Sequence, residues 1–188
     1  MCFPLLSILL CAFCAVSAAA QSSSPPELPK VALIGDSIRM GYAPLVARRL
    51  AGKAIVISPE PNGGDSSNVL KNIEEWVIRH QPDVVHLNAG LHDLKLVRAT
   101  KLHQVKIENY ERNLTEIVRR IGNETRASII FASTTPILDD RHARRGTDFD
   151  RFEADVRRYN ESAAAVMRKF RIPVNDLHWI VEQGGAEN

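Results

Sequence analysis

The chain has 188 residues, 45% of them hydrophobic and 24% charged, a composition that suits one folded domain and excludes a disordered, collagen-like or polytopic membrane protein. Its 24 basic and 22 acidic side chains leave a formal net charge of +2, so no global field draws it to nucleic acid or to an anionic membrane. Any partner must be recognised locally.

Phe3 to Ala20 is almost wholly apolar, the first charge is Glu27, and Ala18-Ala19-Ala20 precedes Gln21. This is the apolar core and small-residue cleavage site of a secretory signal peptide over residues 1–20, and it predicts a secreted or periplasmic protein. No Lys or Arg precedes the apolar run, so an uncleaved anchor is the competing reading. Cys2, Cys11 and Cys14 all lie inside this segment. The chain beyond it therefore has no thiol for catalysis, disulfides or a cysteine zinc site. Residues 21–29, rich in Ser and Pro, read as a flexible lead-in to a domain over residues 30–188.

From Lys30 onward, short apolar runs alternate with longer amphipathic stretches. Val31–Ile34 predicts a buried strand and Tyr42–Leu50 a helix; Ala54–Ser58 predicts a second strand. Ser66–His80 follows as a helix, with Val69, Leu70, Ile73, Trp76 and Val77 at helical spacing. Asp83–Asn88, Ser128–Ser133 and Ile172–Asn175 predict three more strands, separated by helices over Val105–Ile121 and Asp148–Phe170. Strands alternating with helices need crossover connections, which implies a parallel sheet of about five strands covered on both faces. The expected fold is three-layer α/β/α and flavodoxin-like, with no internal repeat and no second domain.

Ligands of such sheets bind beyond the carboxyl ends of the strands. The predicted strands run into Gly35-Asp36-Ser37, Asn62-Gly63-Gly64-Asp65, Gly90-Leu91-His92-Asp93, Thr134-Thr135-Pro136 and Asp176-Leu177-His178. Polar, glycine-rich chemistry collects on one edge.

Gly35-Asp36-Ser37 after an apolar strand resembles the first signature block of the SGNH (GDSL) hydrolases. Asn62-Gly63-Gly64-Asp65-Ser66-Ser67 resembles the second block, and Gly90-Leu91-His92-Asp93 stands where the third reads Gly-x-Asn-Asp. The His-containing variant, with Ala-Ser-Thr-Thr-Pro and Val-Asn-Asp-Leu-His after it, is similar to a subgroup of exported bacterial members. The resemblance runs from about Lys30 to the C-terminus. It implies the SGNH hydrolase fold and an ester hydrolase whose nucleophile is Ser37. It also implies an oxyanion hole made of the Ser37 and Gly64 N–H groups and His92. An imidazole N–H can replace the amide N–H of the usual asparagine as a donor. Ester hydrolysis needs this nucleophile, a base and donors aimed at the developing negative charge.

Other readings of the same residues are plainer. Ser37 serves equally as an N-cap, Gly63-Gly64 as a plain turn and His92 as a loop histidine. His86, inside a strand, reads as structural, while Asp36 and Asp93 read as braces for loop amides.

The family takes its base from a fourth block, Asp-x-x-His, after the last strand. None occurs there: Asp176-Leu177-His178 is one residue short. Three expectations follow. The parent protein is a serine esterase whose fourth block and closing helix lie beyond Asn188; or His178 is recruited as base; or the chain is a non-catalytic binding protein that keeps the pocket.

The substrate class is a small ester or an O-acyl group on a carbohydrate, with no cofactor and no metal. No His-x-x-x-His or paired-carboxylate spacing supports a metal hydrolase, and Gly35-Asp36-Ser37-Ile38-Arg39 is not a phosphate loop. The arginines and acids of residues 139–158 read as a solvated helix and its lead-in loop. Asn113, Asn123 and Asn160 fit the glycosylation pattern.

Overall fold

The structure, a computed structural model, describes residues 27–184. The signal segment over residues 1–20 lies outside the described residues. Strand β1 (Lys30–Ile34) leads into helix α1 (Ser37–Arg49), followed by β2 (Ile55–Ile57), α2 (Ser66–Lys71), α3 (Ile73–Trp76) and β3 (Val84–Leu87). After β3 come two short strands, β4 (Leu96–Val97) and β5 (Leu102–His103), then α4 (Ile107–Glu124) and β6 (Ser128–Ala132). The chain continues through α5 (Asp139–Ala143), β7 (Phe149–Asp150), α6 (Glu153–Lys169), β8 (Val174–Asn175) and α7 (Leu177–Gly184).

The central sheet has five strands in the order β2-β1-β3-β6-β8, all parallel. This is the α/β fold read from the alternation of strands and helices. The order reverses between β2 and β3, so right-handed crossovers put α1 on one face and α2, α4 and α6 on the other. The reversal point lies between β1 and β3, where a crevice opens at the carboxyl ends of the two strands.

The core is apolar and aromatic. Val69, Ile73 and Val77 meet Leu114, Ile117 and Ile121 of α4, and Val156, Tyr159 and Met167 of α6 complete the layer. Two buried phenols cross it, with ring centroids 5.1 Å apart. The Tyr110 hydroxyl donates to Ala89 O at 2.8 Å and the Tyr159 hydroxyl to Val105 O at 2.6 Å. Each satisfies a loop carbonyl and fixes that loop against the core.

Four departures from the sequence expectation have identifiable causes. Helix α1 starts five residues before Tyr42, because the Asp36 carboxylate caps it by accepting from Ile38 N at 2.9 Å. The predicted helix over 66–80 breaks at Asn72, whose side chain turns back to Asn68 O at 2.8 Å, and its last turn is a 3-10 helix. A small antiparallel sheet of order β5-β4-β7 was not expected, since two-residue strands leave no periodicity to read. Helix α7 follows β8 directly, with Asp176 Oδ1 accepting from Trp179 N.

Candidate active site

Three loops converge at the crevice, and each pair is stitched by a named contact. Gly63 N donates to Gly35 O at 3.0 Å, and a Cβ on Gly63 would stand 2.5 Å from that oxygen. Only glycine lets these two backbones touch. The Asp93 carboxylate accepts Ser66 N at 3.0 and 3.1 Å and Ser66 Oγ at 2.5 Å, which joins the second loop to the third. His92 Nε2 stands 3.9 Å from Asp36 Oδ2, closing the triangle.

Buried Arg39 holds the outer side of this arrangement. Its guanidinium donates to Gly35 O, Ser58 Oγ, Pro59 O and Pro61 O, at 2.7 to 3.3 Å. One side chain therefore fixes the path from β2 to the Gly63-Gly64 turn. Sequence reading passed over Arg39, because an arginine two residues after the serine looks like a solvated helix position.

Ser37 is exposed at the first turn of α1. It is not the cap, since Asp36 performs that role, so the hydroxyl is not spent on a backbone amide. As the first helical residue it has a backbone N–H with no intrahelical acceptor, at the positive end of the helix dipole. Gly64 adopts φ +63°, and its N–H donates to Asn62 Oδ1 at 2.9 Å. A substrate oxygen must displace that carboxamide to use the donor. Burial, and then the charges of Lys95 and Arg151, hold the His92 imidazole below the usual histidine range, so it is neutral at neutral pH and keeps one N–H to donate.

Asp93 is fully buried, and burial pushes its carboxyl up to about 7, against the opposing pull of the Ser66 hydrogen bonds. Asp36 and Asp93 are thus the braces read from the sequence. His86 is structural as expected, lying 3.3 Å from the Tyr42 hydroxyl and 3.4 Å from Asn175 Nδ2.

A cavity of about 320 Å³ opens beside Ser37, walled by Leu91, Ile137, Val181 and, from the segment after β6, Arg141, His142 and Arg145. Arg151 completes the wall. The expectation of a solvated helix and loop over 139–158 fails at Arg151, which is only 8% exposed. Its Nε donates to Leu91 O at 2.8 Å and its guanidinium lies over the Phe149 ring at 4.9 Å. The β4–β7 pairing brings Phe149 and Asp150 inward and carries Arg151 with them. A larger depression of about 620 Å³ lies at the opposite, amino end of β6, near Arg119 and Asn123.

His178 sits behind the cavity wall, buried, with its backbone N–H on Ser133 Oγ. Its Nε2 is 2.7 Å from Glu153 Oε1 and its Nδ1 3.5 Å from Glu182 Oε2. Both ring nitrogens are therefore engaged by carboxylates, and no hydrogen bond joins His178 to Ser37 among the described residues. Asp176 does not orient the ring, because its Oδ1 accepts from Ser133 Oγ at 2.9 Å. Glu153, His178 and Glu182 bring three metal-ligating groups together, but Arg157 bonds both glutamates and already supplies the compensating positive charge.

His142 was missed by the sequence reading. The Asp-x-x-His spacing absent after the last strand does occur upstream, at Asp139-Asp140-Arg141-His142. His142 lines the cavity that holds Ser37, and its buried Nε2 has no hydrogen-bond partner among the described residues. Asp139 turns away, accepting from Glu153 N at 2.8 Å. Burial holds the His142 imidazole below the ordinary histidine range.

The family profile described as the GDSL-like lipase/acylhydrolase family matches residues 33–188. The chain belongs to this GDSL family. Its fold is shared with a lipase/acylhydrolase from Enterococcus faecalis at TM-score 0.67 and 24% identity, over 83% of this chain and 80% of that one. An alpha/beta hydrolase from the metagenome of Lake Arreo, Spain, superposes at TM-score 0.69 and 18% identity, over 85% and 82% of the two chains. An acetylxylan esterase from Geobacillus stearothermophilus gives TM-score 0.65 and 16% identity, over 85% and 81%. Comparison with curated protein sequences finds no match.

Proposed function

We propose that this GDSL protein is an exported ester hydrolase in which Ser37 attacks the substrate carbonyl. The observation that carries this reading is the stitching of the three loops around an exposed Ser37, through the Gly63–Gly35, Ser66–Asp93 and His92–Asp36 contacts. The Ser37 and Gly64 N–H groups and the His92 imidazole receive the carbonyl oxygen as it becomes negative. Attack by Oγ, whose proton passes to a base, forms the tetrahedral intermediate; collapse returns that proton to the leaving alcohol and leaves an acyl-serine, which water, deprotonated by the same base, hydrolyses to the free acid and Ser37.

The substrate class is a small ester, including an O-acyl group on a carbohydrate. The acetylxylan esterase among the structural neighbours supports the second possibility by analogy of fold. Export rests on the apolar segment over residues 1–20.

The decisive experiment is release of p-nitrophenol from p-nitrophenyl acetate by the protein and by Ser37→Ala. Hydrolysis lost in the variant supports the reading. Equal rates in both leave the alternative, a binding protein that retains the pocket. His178→Ala and His142→Ala then assign the proton acceptor: the variant that loses activity names it, and full activity in both removes both from the mechanism.

A further inference from the structure

We propose that the cavity beside Ser37 selects anionic esters, substrates that carry a carboxylate, sulfate or phosphate group next to the bond to be cut. The inference rests on Ser37 marking the reacting end, and it adds what the rest of the cavity binds. Three arginines, Arg141, Arg145 and Arg151, line one small cavity that has no carboxylate among its lining residues. Arg151 is the decisive one. It is 92% removed from solvent by burial, yet among the described residues only its Nε has a hydrogen-bond acceptor, the Leu91 carbonyl.

Its two terminal nitrogens have no protein partner, yet they are not among the fully buried unpaired atoms of the described residues, so they open to the cavity, where a ligand's oxygens can reach them. A guanidinium fork with free donors is the group best matched to a planar or tetrahedral oxoanion. Arg141 and Arg145 form no ion pair with any described residue, so their charge faces the cavity uncompensated by an acid in its lining. The acid whose charge acts on Arg151 is buried Asp36, and its Oδ1 is committed to the α1 cap; Asp139 and Asp140 lie beside Arg141 but line a separate depression. Ile38, Leu91, Ile137 and Val181 supply the apolar remainder of the wall, so the ligand has an apolar body as well as a charged end.

The test reads binding in the Ser37→Ala protein, so that it does not depend on turnover. Calorimetry would compare 4-acetoxybenzoate, 4-acetoxybenzenesulfonate and 4-acetoxyphenyl phosphate with the neutral methyl 4-acetoxybenzoate. We expect at least one anion to bind roughly tenfold more tightly than the neutral ester, weakening as salt is raised. The anion that binds most tightly identifies which oxo group the site prefers. The preference should be lost in Arg151→Gln and reduced several-fold in the double variant Arg141→Gln/Arg145→Gln, whose exposed positions keep the test valid if Arg151→Gln fails to fold.

Equal affinity for the neutral ester and all three anions overturns the proposal, as does an anion preference that survives in the double variant and in a folded Arg151→Gln. Absence of Ser37-dependent hydrolysis would overturn the esterase reading alone. Loss of anion preference with intact hydrolysis would overturn this inference alone.

Discussion

Ser66 and Asp93 form the tightest polar junction in the site: the serine N–H and Oγ both donate to one carboxylate that is fully buried. Asp93 ties the Gly63-Gly64 loop to the loop bearing His92, and burial raises its carboxyl to about 7. Because the folded group binds its proton more tightly than the unfolded one, its contribution to stability is fully present below the ordinary carboxylate range. That contribution is lost as pH rises toward about 7. Relative to Asp93→Asn, the protein should lose stability between those limits with a slope of up to about 1.4 kcal/mol per pH unit. Urea titrations of both proteins at pH 4, 5.5 and 7 measure the difference, and a constant difference would contradict the junction's role.

The Gly64 N–H is occupied by Asn62 Oδ1, so on the proposed function the resting site holds an internal acceptor where the substrate oxygen would arrive. Asn62→Ala removes the competitor. With a net hydrogen bond worth about 1 kcal/mol, kcat/KM on p-nitrophenyl acetate should rise about fivefold. An unchanged or lower value would mean that the carboxamide shapes the turn more than it blocks the donor.

On the proposed function, His92 supplies the side-chain donor that the resemblance assigns to an asparagine. His92→Ala should lower kcat on the order of 10² to 10³, the cost of one oxyanion donor. His92→Asn keeps an N–H and should retain most of the activity. Steady-state kinetics on the three proteins distinguish a donor from a loop filler, which alanine would replace at little cost.

Arg39 acts by position, since its guanidinium holds four acceptors along the β1 and β2 loops. Arg39→Met leaves the Pro59 and Pro61 carbonyls without their donor and should cost roughly 2 to 4 kcal/mol of stability. A turnover loss confined to kcat in the folded variant would mark displacement of Gly64, read together with thermal unfolding.

The central sheet was legible because its strands are short and mostly apolar and alternate with long amphipathic helices, so length and alternation agreed even where His86 interrupts β3. The convergence of the loops bearing Ser37, Gly64 and His92 was legible because glycine and polar residues there follow a strand directly. The start of α1 was placed late, at Tyr42, because the Asp36 side chain that caps the helix at Ser37 shows itself only in the structure. The wall of the cavity was not legible. Arg151 looks like any arginine in a charged stretch until β4 and β7 pair, and His142 lies far from the region where the base was sought. Asn160 fits a glycosylation pattern, yet its side chain binds both Thr134 N and Thr134 O, at 2.8 and 2.9 Å. Only tertiary structure shows such a side chain to be taken.

Arg151 hangs from a separate three-stranded sheet, while Ser37 grows out of the central one. On the proposed function, discrimination and chemistry then ride on two separate sheets joined through the Arg151–Leu91 bond. Segment exchange across residues 96–103 and 139–151 would offer an engineer a way to retarget the pocket while leaving the frame of Ser37 in place.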